Sequence, residues 1–434
     1  MEHTPLASLL VLWLNFMTEV IPPRLIRTYT ELLVGILMAT GGHVTDALLA
    51  VGHGSHYSTY YWLLASAKWK WTQTPKQLIR LVTLFFPRAE WNLIVDDFIN
   101  PRSSKKIPFG AYHHDHGQKP NRPHFLWGQQ IVALGLSISY GRLWASLPLV
   151  LRVHKGVGNR SKLTTAVFLI RWLAPLFRQV RTKKLRVLVD AWYMKSPFIL
   201  PLLRERIQVI GQVRKDTVLF DFPDPEEGNR RGRPRKYGPK WTLSDFKEQV
   251  PMRMADLRIY GNKPKRVTYY SRKLKARFLN GAPVIAVWSQ LPGQKNWTLI
   301  VSTDLELTPE QIIKLFSKRW KTEPMFNEIK HAFGVAEAWQ RSSRSLHRWL
   351  SMICSAYALT RLLSLVMNTK KNREALPPIP WRRKAPATAG LTRMAVTLFF
   401  RRFGFVMLWN PKYKKLMLEN ALIHRQRTMF QQQS

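Results

Sequence analysis

The sequence predicts an α/β protein with a helical N-terminal domain and a basic, helical C-terminal region. Two apolar runs rich in branched residues, at 91–97 and 185–190, each end on an acid and predict strands. A mainly β-patterned block follows between Ile207 and Asp304, and an amphipathic helical stretch begins after Thr308. The centre of the chain is therefore an α/β core that contains a β-rich insertion.

The charge balance of the chain indicates a polyanionic partner. Its 434 residues include 68 Lys and Arg against 26 Asp and Glu, a net charge of +42. Such a surplus repels itself strongly unless a polyanion is nearby, and nucleic acid is the obvious candidate. Since 46% of the residues are hydrophobic, the chain can bury sizeable cores, unlike the basic tail of a ribosomal or membrane-surface protein. The single cysteine, Cys354, excludes internal disulfides and thiolate zinc clusters and fits a reducing cytoplasm.

Composition and spacing divide the chain into five segments. The N-terminal one is a helical DNA-binding domain in which basic and aromatic residues alternate at 68–71. The segments are the helical domain at 1–85, the first part of the core at 86–205, the β-rich insertion at 206–308, the second part of the core at 309–368 and the basic region at 369–434.

Two apolar stretches predict buried helices rather than targeting or membrane segments. The stretch Leu9–Met17 has no basic region before it and no cleavage site after it. The stretch Leu350–Met367 is interrupted by Arg361 and has basic segments on both sides. We therefore expect no association with a membrane.

The acids at the strand ends suit a metal-dependent phosphodiester nuclease. Asp96 and Asp97 close the first strand, and Asp190 closes the second. Such a nuclease places carboxylates from separate elements around two cations about 4 Å apart. Mg²⁺ fits this role, with Mn²⁺ as a substitute, because it needs few protein carboxylates. Each acid alone is more often a turn or cap residue, so the prediction depends on a third acid.

A third acid lies in the helical stretch that follows the insertion. Arg319, Glu323, Phe326 and Lys330 are spaced four, three and four residues apart, which places them on one face of a continuous helix. Pro324 can kink that helix. A buried, salt-bridged helix face would give the same pattern.

This helical segment resembles a signature of DDE transposases of bacterial insertion sequences, Y-x-x-R-x-x-x-E-x-x-x-x-x-x-K. Arg319, Glu323 and Lys330 match three of its four named positions, and Phe316 stands in place of the tyrosine. The long interval between Asp190 and Glu323 resembles family members that carry a β-strand insertion there. The resemblance spans about residues 90 to 335.

Both strand ends also resemble motifs of this family. The residues Val95-Asp96-Asp97-Phe98 are similar to its Asp-Asp-Thr-like motif, with phenylalanine where threonine is usual. The residues from Asp190 to Tyr193 match its Asp-Ala-x-Tyr motif. The pattern leaves Asp96 and Asp97 both open as the first acid. The resemblance favours Asp96, because the family's acid commonly lies two residues before the threonine position.

The resemblance implies an RNase H-like catalytic core in which Asp96, Asp190 and Glu323 hold two Mg²⁺ ions. It implies that the protein cuts the ends of a mobile element and joins their 3′-hydroxyls to target DNA. Arg319 and Lys330 would contact phosphates near the cleavage point. The expected partners are terminal inverted repeats, target DNA and a second copy of the chain, at the nucleoid of a bacterial cytoplasm. A domesticated DNA-binding protein derived from a transposase and an RNase H-like nuclease without strand transfer are the alternatives.

Two loops contain further candidate ligand-binding residues. The glycine-rich segment 228–238 resembles an AT-hook core and supplies the candidate DNA-binding residues Arg231, Arg233, Arg235 and Lys236. Nonspecific phosphate contact by this segment is an equally good interpretation. The sequence His113-His114-Asp115-His116 contains zinc-binding residue types, although a solvated or DNA-facing loop explains it as well.

Overall fold

The structure is a computed structural model of the chain, and it describes most of the sequence. The described residues are 5–115, 123–141, 143–155, 159–180, 184–224, 235–259, 263–368, 372, 376–377 and 386–419.

Helices dominate both ends of the chain, and most strands lie between them. The helices are α1 (Pro5–Thr18), α2 (Ile26–Met38), α3 (Val44–Val51), α4 (Tyr57–Ala65), α5 (Gln73–Phe85), α6 (Asn159–Val180), α7 (Ser196–Arg204), α8 (Leu243–Gln249), α9 (Pro309–Lys318), α10 (Thr322–His331), α11 (Ser343–Met367), α12 (Ala389–Phe403) and α13 (Phe405–Leu408). The strands are β1 (Trp91–Pro101), β2 (Ala111–His114), β3 (Phe125–Tyr140), β4 (Leu143–Val153), β5 (Arg186–Val189), β6 (Gln208–Gln212), β7 (Leu219–Phe220), β8 (Lys240–Trp241), β9 (Arg253–Leu257), β10 (Lys265–Ala276), β11 (Ala282–Gln290), β12 (Thr298–Ser302), β13 (Trp409–Asn410) and β14 (Lys415–Leu416).

The chain forms two compact units, and each contains several chain segments. The central unit comprises Asn92–Asp96 and Gly158–Thr322, and the terminal unit comprises Met1–Trp91, Asp97–Val157 and Glu323–Ser434. The helices of the N-terminal 91 residues thus share a unit with the C-terminal helices. Strand β1 supplies residues to both units.

The central unit is built on a mixed sheet. The first half of β1 pairs in parallel with β5, and β5 pairs in parallel with β6. Beyond β6 the strands β12, β11 and β10 follow in that order, each antiparallel to the strand before it. Helix α9 packs its apolar face on this sheet, because Ile312, Ile313 and Phe316 join a core formed by strand residues such as Ile94 and Leu188. The strands predicted between 207 and 304 are present, and β6 among them pairs directly with β5.

The terminal unit contains a long hairpin that the sequence patterns did not predict. Strands β3 and β4 pair in antiparallel fashion from Ile131 and Val153 to Tyr140 and Leu143, and Gly141 at the turn has a φ of 58°. Strand β2 contains His113 and His114 and pairs with β3, although the sequence predicts a loop at these histidines. Most of β3 and β4 is buried, so neither strand has the alternating pattern of a half-exposed strand.

Helix α11 is the central element of the terminal unit. It is long and apolar enough to cross a membrane by length and composition, yet 89% of its most apolar stretch is buried within the protein. It packs against β4, α2, α12 and several other helices. This is the environment of a core helix, as the sequence predicts.

Several arginines of the terminal unit bind backbone carbonyls instead of carboxylates. The buried Arg348 of α11 donates to the carbonyls of Leu63 (3.2 Å) and Leu64 (2.9 Å) at the end of α4, and to those of Ala67 (2.5 Å) and Trp69 (2.9 Å) in the segment that follows. Arg393 of α12 likewise donates to the carbonyls of Ile36 and Leu37 at the end of α2, both at 3.0 Å. Burial lowers the pKa of Arg393 to about 10. The last carbonyls of a helix lack partners within it, so these guanidinium groups satisfy and electrostatically complement the helix ends.

Trp69 shows why the basic and aromatic run at 68–71 has a structural role. Its ring is buried, its Nε1 donates to the Leu63 carbonyl at 2.8 Å, and Arg348 lies 5.1 Å from the ring centroid. The tryptophan therefore packs the end of α4 and is inaccessible to a DNA base.

His347 of α11 is a buried histidine held in its neutral form. Its Nδ1 lies 2.7 Å from the Ser343 carbonyl and its Nε2 accepts from the Val153 N–H at 3.4 Å, while its ring stacks on Trp71. Burial, with a smaller contribution from the charge of Arg152, lowers the pKa of His347 from 6.5 to about 4. Protonation of this ring therefore opposes folding.

We predict that His347 makes the terminal unit sensitive to mild acid. The unfolded chain takes up a proton at this site below pH 6.5 and the folded chain does not, so the free energy of unfolding falls as the pH drops from 6.5 towards 4. By pH 5 the loss should reach about 2 kcal/mol. Urea unfolding at pH 7.5, 6.5 and 5.0 should show a weaker pH dependence for His347→Gln than for the wild type. The exposed His124→Gln is the matched control, and an equal slope in all three proteins would contradict the prediction.

Candidate active site

Two of the predicted acids lie at the same level of neighbouring parallel strands. In β1 and β5, Leu93 pairs with Val187 and Ile94 with Leu188, so two residues further on Asp96 and Asp190 occupy equivalent positions. The residues before each acid are buried, as expected of parallel strands with both faces covered. Both acids are partly exposed, and each follows the point where its apolar run ends.

Asp96 and Asp97 have different partners, as successive residues of a strand do when their side chains alternate between faces. Asp96 Oδ2 lies 3.5 Å from Arg319 Nη1, and both side chains are largely shielded from solvent. Asp97 Oδ2 instead accepts a hydrogen bond from the amide of Gln130. The side chain that meets Arg319 is thus that of Asp96.

Arg319 directly follows the last residue of α9 and is almost completely buried. Its guanidinium lies 5.6 Å from the ring centroids of both Phe316 and Trp320. Its Nε is a buried donor without a hydrogen-bond partner among the described residues. A buried polar group of this kind calls for an explanation, and an anionic ligand is one that would supply the missing acceptor.

Asp190 closes a tight turn after β5. Its Oδ1 accepts hydrogen bonds from the backbone N–H groups of Trp192 (3.0 Å) and Tyr193 (3.2 Å). These bonds fix the orientation of the carboxylate through one of its two oxygens. The ordinary turn role and a metal-binding role are therefore compatible at this residue.

Two lysines flank the aromatic ring that follows Asp190. The ammonium groups of Lys162 and Lys195 lie 4.1 Å and 4.4 Å from the centroid of the Trp192 ring. Lys162 comes from α6, and Lys195 precedes α7. Positive charge is thus concentrated close to the turn that positions Asp190, and the sequence motif gave no indication of it.

Glu323 and Lys330 lie on α10 in the terminal unit. Glu323 is exposed in the first turn, where a carboxylate is favoured by the helix dipole. Lys330 Nζ lies 4.2 Å from the centroid of the Phe98 ring, which also packs against Phe326. Phe98, which replaces the usual threonine, therefore has an aromatic and cationic environment of its own.

The helix expected to run through these residues is interrupted. Helix α9 ends at Lys318, a 3₁₀ turn covers Arg319–Lys321, and α10 begins at Thr322. The α-helical spacing from Arg319 to Glu323 is therefore not continuous. Pro324 lies in the first turn of α10, where its missing N–H leaves no hydrogen bond of α10 unmade.

The structure describes only some of the other predicted ligand-binding residues. Arg231 and Arg233 lie outside the described residues, while Arg235 and Lys236 are exposed. His116 is also outside the described residues. His113 and His114 are adjacent in β2, so their side chains point to opposite faces.

One group in the described part of the chain has metal-ligating geometry that no sequence motif predicts. Ligand atoms of His43, Asp46 and Glu337 lie within 4.8 Å of one another. None of these residues belongs to the predicted catalytic set. No local motif could have revealed the group, because Glu337 is distant in the chain.

The sequence matches the DDE superfamily endonuclease family over residues 26–269, which is more than half of the chain. The chain belongs to the DDE superfamily endonucleases. The matched region of this DDE endonuclease contains Asp96 and Asp190 and ends before Arg319, Glu323 and Lys330. Divalent metal ions are generally used by enzymes of this family.

A solved structure also shows similarity to this DDE endonuclease. It is the cryo-EM structure of the piggyBac transposase synaptic complex with hairpin DNA, 12% identical in sequence, and the alignment covers 92% of this chain and 79% of that one. The TM-score is 0.36, too low to establish a shared fold. No curated protein sequence matches the chain.

Proposed function

We propose that this DDE endonuclease is a DNA transposase of the bacterial insertion-sequence type. The observation that carries the proposal is the placement of Asp96 and Asp190 at equivalent ends of parallel strands, within a matched family of endonucleases. The net charge of +42 supports a DNA partner. The protein would cut the ends of an element and join their 3′-hydroxyls to target DNA, and an RNase H-like core with a β-rich insertion would be its catalytic domain.

The proposed metal ligands are Asp96, Asp190 and Glu323. Carboxylates at the same level of adjacent parallel strands, whose backbones are about 4.8 Å apart, fit a pair of Mg²⁺ ions, and Mn²⁺ would substitute. When bound, such ions activate the attacking oxygen and stabilise the leaving oxygen of a phosphodiester. Glu323 belongs to the terminal unit, whereas Asp96 and Asp190 belong to the central unit. It is therefore included among the proposed ligands only because of its position in the signature.

The basic residues near these acids would hold the DNA. The buried Arg319 would orient the Asp96 carboxylate and offer its Nε to a phosphate oxygen. Lys162 and Lys195 would contact the DNA backbone beside Asp190, with Trp192 holding their ammonium groups. Lys330 would contact a phosphate by its place in the signature. Arg231, Arg233, Arg235 and Lys236 would bind flanking DNA.

We also propose that the protein acts as a homodimer on paired terminal inverted repeats, at the bacterial nucleoid. A domesticated DNA-binding protein and a nuclease without strand transfer are the rival functions. In the genome, inverted repeats on both sides of the gene, bounded by short direct duplications, would support the transposase.

A cleavage and joining assay tests the proposal. The wild-type protein, Mg²⁺, a target plasmid and a DNA fragment with the native flanks of the gene should give 3′-hydroxyl ends at the repeats and joined products. Neither should form with EDTA or with scrambled flanks. Binding without cleavage would favour the domesticated protein, and cleavage without joining would favour the nuclease; either result would overturn the transposase assignment.

A further inference from the structure

Three side chains with metal-binding groups converge in the terminal unit from distant parts of the chain. His43 immediately precedes α3, Asp46 lies in the first turn of α3, and Glu337 lies in a 3₁₀ turn between α10 and α11. Their ligand atoms lie within 4.8 Å of one another, and all three residues are partly buried. The set combines an imidazole with two carboxylates and includes none of the proposed catalytic ligands.

Backbone hydrogen bonds orient both carboxylates. The N–H of His43 donates to Asp46 Oδ2 at 3.1 Å, and the N–H of Gly42 donates to Glu337 Oε2. The bond from His43 to Asp46 is part of a capping box at the start of α3, in which the His43 side chain accepts from the Asp46 N–H. Such contacts hold ligands in place before an ion binds. Each carboxylate makes its backbone bond through one oxygen and has a second oxygen that can ligate an ion.

The approach of the two chain segments requires glycine on both sides. A Cβ on Gly42 would lie 2.1 Å from Gly334 Cα, and a Cβ on Gly334 would lie 1.9 Å from Gly42 Cα. Gly334 also has a φ of 80°, a conformation that favours glycine. This backbone contact brings Glu337 against the start of α3.

Two carboxylates this close repel each other unless a positive group lies between them. Such a pair is notable in a chain with 26 acids and 68 basic residues, where basic partners are abundant. A mixed set of one imidazole and two carboxylates suits Zn²⁺ and related transition-metal ions better than the all-oxygen preference of Mg²⁺ or Ca²⁺. We propose that His43, Asp46 and Glu337 bind a divalent transition-metal ion, with Zn²⁺ as the expected occupant.

The site would act on the stability of the terminal unit. Around Glu337, the carbonyls of Val335 and Ala338 accept hydrogen bonds from Arg102 at 3.3 Å and 3.0 Å, and Asn100 also donates to Val335 at 3.1 Å. Asn100 lies in the last part of β1, and Arg102 follows its end. An ion bound by Glu337 would therefore join the α2–α3 loop to the turn that is anchored on β1.

The test uses full-length protein with the substitutions Asp190→Asn and Glu323→Gln, which remove proposed catalytic ligands. Dialysis against Zn²⁺ followed by elemental analysis should find one ion per chain that resists removal by competing Mg²⁺. The thermal unfolding midpoint should rise by a few degrees relative to EDTA-treated protein. No retained ion, or no rise in the midpoint, would overturn the proposal.

Two conservative variants in the same background locate the ion. His43→Gln and Glu337→Gln keep groups that can make the local hydrogen bonds but remove the imidazole and one carboxylate. Each should weaken Zn²⁺ binding at least tenfold, while the exposed His124→Gln should retain it. Binding that survives both variants would overturn the proposal. If acidification destabilised metal-free protein less than it destabilised His43→Gln, protonated His43 itself would be the cation, and this result would also overturn the proposal. Because the readouts are binding and stability, they are independent of any transposase activity.

Discussion

Replacing Asp190 or Asp96 by asparagine should lower metal-dependent DNA cleavage by on the order of a thousandfold or more, with the fold retained. Asparagine keeps the shape of the side chain and can still accept the two backbone bonds now made to Asp190. It removes the negative charge that a metal ligand needs. Glu323→Gln should have an effect of the same size. Cleavage is measured on DNA with the native gene flanks, and retained DNA binding by the variants shows that they are folded.

Asp97→Asn is the matched control for Asp96→Asn. The two residues are adjacent, but Asp96 meets Arg319 while Asp97 accepts from Gln130, and an asparagine oxygen can replace that acceptor. Cleavage by Asp97→Asn should therefore stay within about tenfold of the wild type. If Asp97→Asn were inactive and Asp96→Asn active, the first catalytic acid would be Asp97. If all the acid variants cleaved normally, the proposed active site would be wrong.

Replacing Arg348 by alanine should destabilise the protein by roughly 3 kcal/mol or more. The substitution removes one donor from each of four carbonyls in and just after α4, in a buried region that water does not readily reach. The carbonyls of Leu63 and Ala67 each keep a second hydrogen bond, from Trp69. Arg348→Lys should cause an intermediate loss, because an ammonium cannot reproduce the planar set of donors. The free energy of unfolding in urea, followed by tryptophan fluorescence, measures both effects.

Arg344→Ala provides the comparison for Arg348→Ala. Arg344 lies one turn earlier on α11 and is exposed, so its loss should change the free energy of unfolding by less than about 0.5 kcal/mol. Equal stabilities for the two alanine variants would show that the carbonyl contacts of Arg348 contribute little.

The sequence predicted the elements whose patterns are local. Strands β1 and β5 were recognisable because each is a short apolar run that ends on an acid, and most of β9 to β12 had the residues typical of strands. The match to the DDE superfamily endonucleases agrees with the family motifs recognised around Asp96 and Asp190. The catalytic roles of these residues and of Glu323 remain predictions.

Other features depend on contacts that a sequence pattern does not contain. The β3–β4 hairpin is buried along most of both strands, so its residues lack alternation and its pairing is defined only by the folded core. The strand pattern leaves Asp96 and Asp97 both open, and in the structure they have different partners, Arg319 and Gln130, which are remote in the chain. The role of Arg348 could not be predicted either, because nothing in the sequence around it distinguishes a buried arginine from an exposed one.

The arginines that bind backbone carbonyls respond to salt differently from the basic residues at the surface. Dissolved salt ions screen charges at a protein surface, and the affinity of a basic surface for DNA falls steeply as the salt concentration rises. The guanidinium of Arg348 instead faces fixed dipoles inside the protein, where mobile ions do not enter. High ionic strength should therefore leave these internal contacts intact while it weakens the proposed binding of DNA to the surface.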